Sequence, residues 1–177
     1  TNPVGMGYEN QKLSFSKFDD YAKCPKMFWY KHVLNALPKN QEANALYKGS
    51  LFHKIVEDVD NPEMPEKKGD LKSMLSEFES SWDSSKYLQS SVQKETEDKQ
   101  SLVPAITSYQ KWNTQNKNTI TDVELKFSTQ IGGFQVNGKI DRIEKTPEGD
   151  FIIIDYKTGG KNKKVAKVED SLQLNMY

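Results

Sequence analysis

Two β-branched, apolar runs joined by a short polar turn constrain this chain more than any other feature. From Gly138 the sequence reads Gly-Lys-Ile-Asp-Arg-Ile-Glu-Lys, then Thr146-Pro147-Glu148-Gly149-Asp150, then Phe-Ile-Ile-Ile-Asp-Tyr-Lys-Thr up to Thr158. That is the pattern of a β-hairpin. Side chains alternate along a strand, so Asp155 and Lys157 share one face and Tyr156 takes the other. An acid and an amine at the end of a hydrophobic strand are costly to hold there unless something uses them. With Asp141 on the neighbouring strand, the group is a candidate site for a divalent cation with a lysine beside it.

The rest of the chain reads outward from this hairpin. Residues 1–12 form a polar lead-in. Ser16, with Asp19 three residues on, marks a first helix through Phe18 and Tyr21. Cys24-Pro25 interrupts it, and the proline starts or kinks a second segment through Met27, Phe28, Tyr30 and Val33. Leu34 to Asn44 reads as a loop, and Ala45 to Val59 as a helix carrying Leu46, Leu51, Phe52, Ile55 and Val56. Residues 60–70 are linker-like. Leu71, Leu75, Phe78 and Trp82 space as one helical face. Ser84 to Lys99 is too polar to assign, and Leu102 to Asn116 is a further helix. From Thr119 the period changes to two: a strand through Val123, Leu125 and Phe127, a turn at Ile131-Gly132-Gly133-Phe134, a strand from Gln135 to Glu144, and a third over 150–156. A lysine-rich loop at 161–164 leads to a last helix from Val165 to Tyr177. The order predicts an α/β fold with a mixed central β-sheet flanked by helices. At this length 1–177 is expected to be a single domain, helical over 13–118 and a β-meander plus helix over 119–177.

Composition narrows the functional classes. Twenty-five basic residues balance twenty-five acidic ones, so any basic surface for a polyanion is local, the 161–167 loop being a candidate. No apolar run approaches the ~20 residues of a membrane span. The single cysteine, Cys24, excludes an internal disulfide and fits a reducing, cytoplasmic setting.

Four groups could carry chemistry. Asp141, Asp155 and Lys157 come first: Mg²⁺ chemistry on a phosphodiester needs one or two carboxylates, and a nearby lysine orients water or offsets developing charge. Gly138, three residues before Asp141, lets a backbone or ligand come close. His53 follows in Gly49-Ser-Leu-Phe-His53, where imidazole suits Mn²⁺ or Mg²⁺ as one ligand among oxygens. Gln173 and Tyr177, four apart, share a helical face. Cys24 alone holds neither a structural zinc nor a cluster and reads as a small buried hydrophobe. The aromatic run Phe28-Trp29-Tyr30 reads as core, and His32 as structural.

Together these pieces resemble the nuclease domain of RecB and AddB within the PD-(D/E)xK superfamily, which includes the four-cysteine CRISPR adaptation nucleases. The resemblance runs in order through Leu13-Ser14-x-Ser16 to Tyr21-x-x-Cys24-Pro25-x-x-Phe28, Gly49-x-x-x-His53, Gly138-x-x-Asp141-Arg142-Ile143, Ile154-Asp155-Tyr156-Lys157-Thr158-Gly159 and Gln173-x-x-x-Tyr177. It implies a restriction-endonuclease-like core in which His53, Asp141, Asp155 and the backbone carbonyl of Tyr156 hold Mg²⁺ or Mn²⁺. It implies that Lys157 is the catalytic lysine, that Gln173 and Tyr177 position DNA or support that lysine, and that Glu124 supports the site from the preceding strand. Asp155 stands where the family often has Glu, which leaves the metal chemistry intact. Iron–sulfur members add three cysteines beyond the last motif to one at the position of Cys24, so an iron–sulfur cluster is not expected of this chain alone. Ending inside that motif, it is expected to be a piece of a longer protein.

The function implied is a metal-dependent DNA nuclease, an exonuclease of repair or recombination, with DNA and a helicase or other repair subunit as partners. The alternative is a non-catalytic, nuclease-like DNA-binding module of a larger assembly.

Overall fold

The computed structural model describes residues 12–36, 43–61, 63, 69–87, 91–131 and 133–158. The 161–164 loop, the helix expected from Val165, and Gln173 and Tyr177 lie outside the described residues. The chain divides into two compact units. The larger takes Lys39–Glu124 and Asp141–Asn162, and the smaller includes Thr1–Pro38 and Leu125–Ile140.

The larger unit is built on helix α3 (Ala43–Asp60), which buries Leu51, Phe52, Ile55 and Val56 as a continuous stripe. α4 (Leu71–Ser81) starts where the Asp70 carboxylate accepts the Ser73 N–H at 3.0 Å, a cap worth about 1 kcal/mol. It contributes Met74 and Phe78 to the same core. α6 (Val103–Gln115) opens with a proline in its first turn and adds Ile106 and Tyr109. Each fully buried large apolar side chain stabilises the unit by roughly 1.5–3 kcal/mol, so these three helices define its core.

α5 (Val92–Gln100) is a helix that hydrophobic periodicity does not announce. It carries no buried residue and is held by polar contacts. Ser91 caps the Lys94 N–H, the Trp82 indole donates to Glu95 at 2.8 Å, and Asp98 accepts from Tyr87, from Lys48 at 3.0 Å and from Lys94 at 3.2 Å. Burial pushes the Asp98 carboxyl up, but its Tyr87, Lys48 and Lys94 partners outweigh that and bring it from 3.8 to about 2. A carboxyl depressed in the folded state contributes stability above its unfolded pKa and loses it as pH falls through the folded one. Asp98→Asn is therefore expected to lower stability by about 1–2 kcal/mol at pH 7. The gap from the parent should close between about pH 4 and 2, as urea melts across that range would show.

The smaller unit begins with α1 (Phe15–Lys23). This helix starts one residue before the expected Ser16 cap, and Ser14, at the capping position, pairs with the Ser16 hydroxyl at 3.0 Å instead of accepting a backbone N–H of the first turn. Pro25 does begin a second segment, α2 (Pro25–Phe28), which runs into a π-helical turn at Trp29–Val33. Cys24 is exposed, against the expectation of burial, because its Sγ caps α2 by accepting the Met27 N–H at 3.4 Å. Asp20 is buried between Lys31 at 2.9 Å and His32 at 2.7 Å, a structural role for that histidine. Leu13 forms an isolated parallel bridge to Val136.

Three strands, β1 (Thr119–Ile131), β2 (Phe134–Lys145) and β3 (Phe151–Ile154), form one sheet in the order β1-β2-β3. β2 and β3 are antiparallel with Arg142 opposite Ile154 and Lys145 opposite Phe151, closed by a turn with Gly149 at φ +103°. Helices with this sheet agree with the α/β, restriction-endonuclease-like class. Gly138 does admit a close neighbour. The ring of Phe127 on β1 occupies that space, 2.2 Å from where a Cβ would stand.

Candidate metal centre

The hairpin brings its chemistry to the larger unit. β3 stops at Ile154, earlier than the expected 156, because the next available amide is taken by a side chain: the Tyr156 N–H donates to Asp141 Oδ2 at 2.7 Å. Extending the register would set Asp155 opposite Asp141, one step past the last paired residues. Tyr156 faces away from Asp155, and its hydroxyl donates to Asp60 Oδ2 at 3.0 Å.

Among the described residues, His53, Glu124 and Asp141 form a group whose ligand atoms all lie within 4.8 Å of one another. His53 Nδ1 is 3.4 Å from Asp141 Oδ1 and 3.7 Å from Glu124 Oε1. The other ring nitrogen, Nε2, lies 3.1 Å from the Tyr156 carbonyl oxygen. A carbonyl can only accept, so Nε2 carries the proton. In the neutral ring this leaves the Nδ1 lone pair facing two carboxylates. Three donor atoms that close together could share a cation among them. One imidazole among carboxylate oxygens is a donor set suited to Mn²⁺ or Mg²⁺, with the imidazole oriented by a carbonyl on its far nitrogen. The residues present fit a divalent cation.

Glu124 reaches this group through a break in the strand. Its backbone lies at φ 51° inside β1, the left-handed region that costs a residue other than glycine about 1–2 kcal/mol. Val123 and Glu124 are consecutively half-buried there, so the alternation of faces fails at that point. The break in alternation turns the Glu124 carboxylate toward the His53 imidazole, 3.7 Å away. Glu124→Gln should weaken Mn²⁺ binding by about 10–100-fold, taking the loss from ligand-shell substitutions as a guide, while the metal-free protein melts no earlier than the parent. Calorimetric titration alongside thermal melts checks both.

Burial pushes the Asp141 carboxyl up, but the His53 contact, the Tyr156 N–H and the charge of Lys157 outweigh it, holding Asp141 below its usual range. Lys157 forms an ion pair with Asp155 and stays more than half exposed, whereas Asp155 is largely covered. Asp155 does not belong to the converging three. The Tyr156 carbonyl stands against His53 Nε2. Gly49 on α3 faces Thr158, whose Oγ1 lies 3.6 Å from where a Cβ would be, an ordinary contact distance.

Behind the centre lies a buried polar cluster. Arg142, Asp60 and Glu144 have side chains only 1% exposed. Arg142 pairs with Asp60 at 2.8 Å and with Glu144, donates to Asn113 Oδ1 at 2.9 Å, and stacks its guanidinium 5.0 Å from the Trp112 ring centroid. Tyr109 donates to the other oxygen of Asp60, and Asn116 and Asn118 donate to Glu144. Burial and the Asp60 charge push both the Tyr109 and Tyr156 hydroxyls up, so both remain donors. Asp60 escapes a reading of the sequence because it sits at the edge of a linker-like stretch. Two signals could have found it: its seven-residue spacing from His53 on one helix, and an arginine beside Asp141 in need of a buried anion.

The family model described as PD-(D/E)XK nuclease superfamily matches residues 12–177. No curated protein and no solved structure matches the chain. No described helix is long and apolar enough to cross a membrane.

Proposed function

We propose that this chain, which belongs to the PD-(D/E)XK nuclease superfamily, hydrolyses DNA phosphodiesters at the His53, Glu124 and Asp141 centre. The observation that carries this reading is the convergence of those three donors within 4.8 Å. A divalent cation, Mg²⁺ or Mn²⁺, would supply Lewis acidity toward the scissile phosphate. His53 would bind it through Nδ1, oriented by the Tyr156 carbonyl on Nε2. Asp141 would bind through Oδ1 while its Oδ2 keeps the Tyr156 amide, and Glu124 would complete the set. Asp155, next to Asp141 in register, would be a further carboxylate ligand to the cation, and Lys157, ion-paired with it, would orient the attacking water and offset charge developing on the phosphate. Gln173 and Tyr177 are proposed to position the DNA. The motif order supports the RecB/AddB-type branch, and with it an exonuclease of DNA repair or recombination working beside a helicase or other repair subunit.

Lys157→Ala tests the chemistry apart from binding. With end-labelled single- and double-stranded DNA and Mn²⁺ or Mg²⁺, cleavage is expected to fall by about 10²–10³-fold, the loss typical of one transition-state contact, with Mn²⁺ affinity retained. Cleavage at parental rates in the variant, or salt-sensitive DNA binding by the parent with no metal-dependent cleavage, would refute the hydrolytic reading. The latter result would leave a non-catalytic DNA-binding module in its place.

A further inference from the structure

Tyr156 is held by four contacts, through its amide, carbonyl and hydroxyl groups, to one pair of residues on α3 and one pair on β2. Its carbonyl meets His53 Nε2 at 3.1 Å and its hydroxyl meets Asp60 Oδ2 at 3.0 Å, and both partners stand on α3, seven residues apart on one face. Its amide donates to Asp141 Oδ2 at 2.7 Å, and its hydroxyl lies 3.5 Å from Arg142, the next residue of β2. The ring is fixed edge-on against Phe52, His53 and Tyr109, with centroids 6.1, 6.1 and 5.6 Å away. One residue therefore sets the spacing between the helix that offers the imidazole and the strand that offers the carboxylate. The hydroxyl end of that clamp is anchored by a buried ion pair that does not belong to the converging ligands.

We propose that Asp60 and Arg142 are positioning residues for the metal centre, acting through the Tyr156 hydroxyl. The proposal rests on the metal-dependent reading above. Asp60 Oδ2 is shared between the hydroxyl and Arg142 Nη1. If the hydroxyl lets go, the ring loses its polar anchor, and the backbone segment carrying both the His53 acceptor and the Asp141 donor is no longer fixed. Partners that orient a metal ligand typically change affinity or activity by about 10–100-fold when removed.

The matched pair Tyr156→Phe and Tyr109→Phe tests this. Each removes one hydroxyl from Asp60 and keeps the ring, but only Tyr156 carries backbone groups in the centre. Mn²⁺ affinity without DNA would be read by EPR titration, with thermal melts alongside. Tyr156→Phe is expected to weaken Mn²⁺ binding at least about tenfold, and Tyr109→Phe less than threefold, with similar falls in melting temperature. The His53 ring ¹⁵N shifts of metal-free Tyr156→Phe should move as well, reporting a loosened Nε2–H bond. Equal Mn²⁺ affinity in Tyr156→Phe and the parent would overturn the positioning role, as would equal weakening in both variants, which would mark the network as merely structural. A parent that binds no Mn²⁺ would overturn the metal-dependent reading and the proposal with it, so the two failures are distinguishable.

Discussion

Replacing Asp141 by Asn is expected to abolish metal-dependent cleavage, a loss of at least about 10³-fold, while leaving a folded protein. The substitution preserves shape, and the amide oxygen still accepts the Tyr156 N–H that ends β3. What disappears is the negative charge 3.4 Å from His53 Nδ1. The carboxylate is held below its ordinary range: burial opposes this, but His53, the Tyr156 amide and the charge of Lys157 prevail. The surroundings are therefore built to keep that charge in a covered place, where an unsatisfied anion is expensive. Its removal takes away cation affinity and the electrostatic focus of the site together. Cleavage assays at saturating Mn²⁺, with circular dichroism for the fold, would show the effect. Cleavage within tenfold of the parent would remove Asp141 from the centre.

Arg142→Met should lower the stability of the larger unit by about 3–5 kcal/mol. The side chain is 1% exposed and neutralises two carboxylates that are equally covered, Asp60 and Glu144. Burial lowers the guanidinium's proton affinity, but the Asp60 charge beside it more than reverses that, so it stays cationic. Methionine matches much of the volume and leaves both anions without their cation. Arg142→Lys keeps the charge but loses the fork that spans two partners, so it should fall between the parent and the methionine variant. Urea titration separates the three. A methionine variant within 1 kcal/mol of the parent would show that the tyrosine and asparagine donors satisfy Asp60 and Glu144 by themselves.

Arg142 is the only arginine in the chain, and its burial says something about what the sequence could reveal. A lone arginine invites assignment to a phosphate-binding surface. Its neighbour Asp141 belongs to the opposite face of β2, and that alternation sends Arg142 inward toward Asp60. The hairpin, the face change at Tyr156 and the α3 and α4 stripes follow from periodicity, because apolar burial is what periodicity records. α5 does not, because charged residues such as Asp98 attach it. Glu124 was legible as an acid on the right strand but not as one of the converging three, since its left-handed backbone breaks the very alternation from which strand faces are read. The end of β3 was overestimated by two residues for a related reason: Asp141, a side chain, replaces the strand partner of Tyr156. Asp60 and its tyrosines are long-range partners, and no local pattern pairs residues 49 and 96 positions apart.

The most direct test of the metal centre is pulsed EPR on Mn²⁺ bound to protein carrying ¹⁵N-labelled histidine. The chain has two histidines, and His53→Gln assigns the signal. A directly coordinated histidine nitrogen in the parent, lost in His53→Gln and diminished with Mn²⁺ affinity in Glu124→Gln and Asp141→Asn, is the expected result. Stoichiometric Mn²⁺ binding with no histidine coupling, or coupling that survives in His53→Gln, would contradict it.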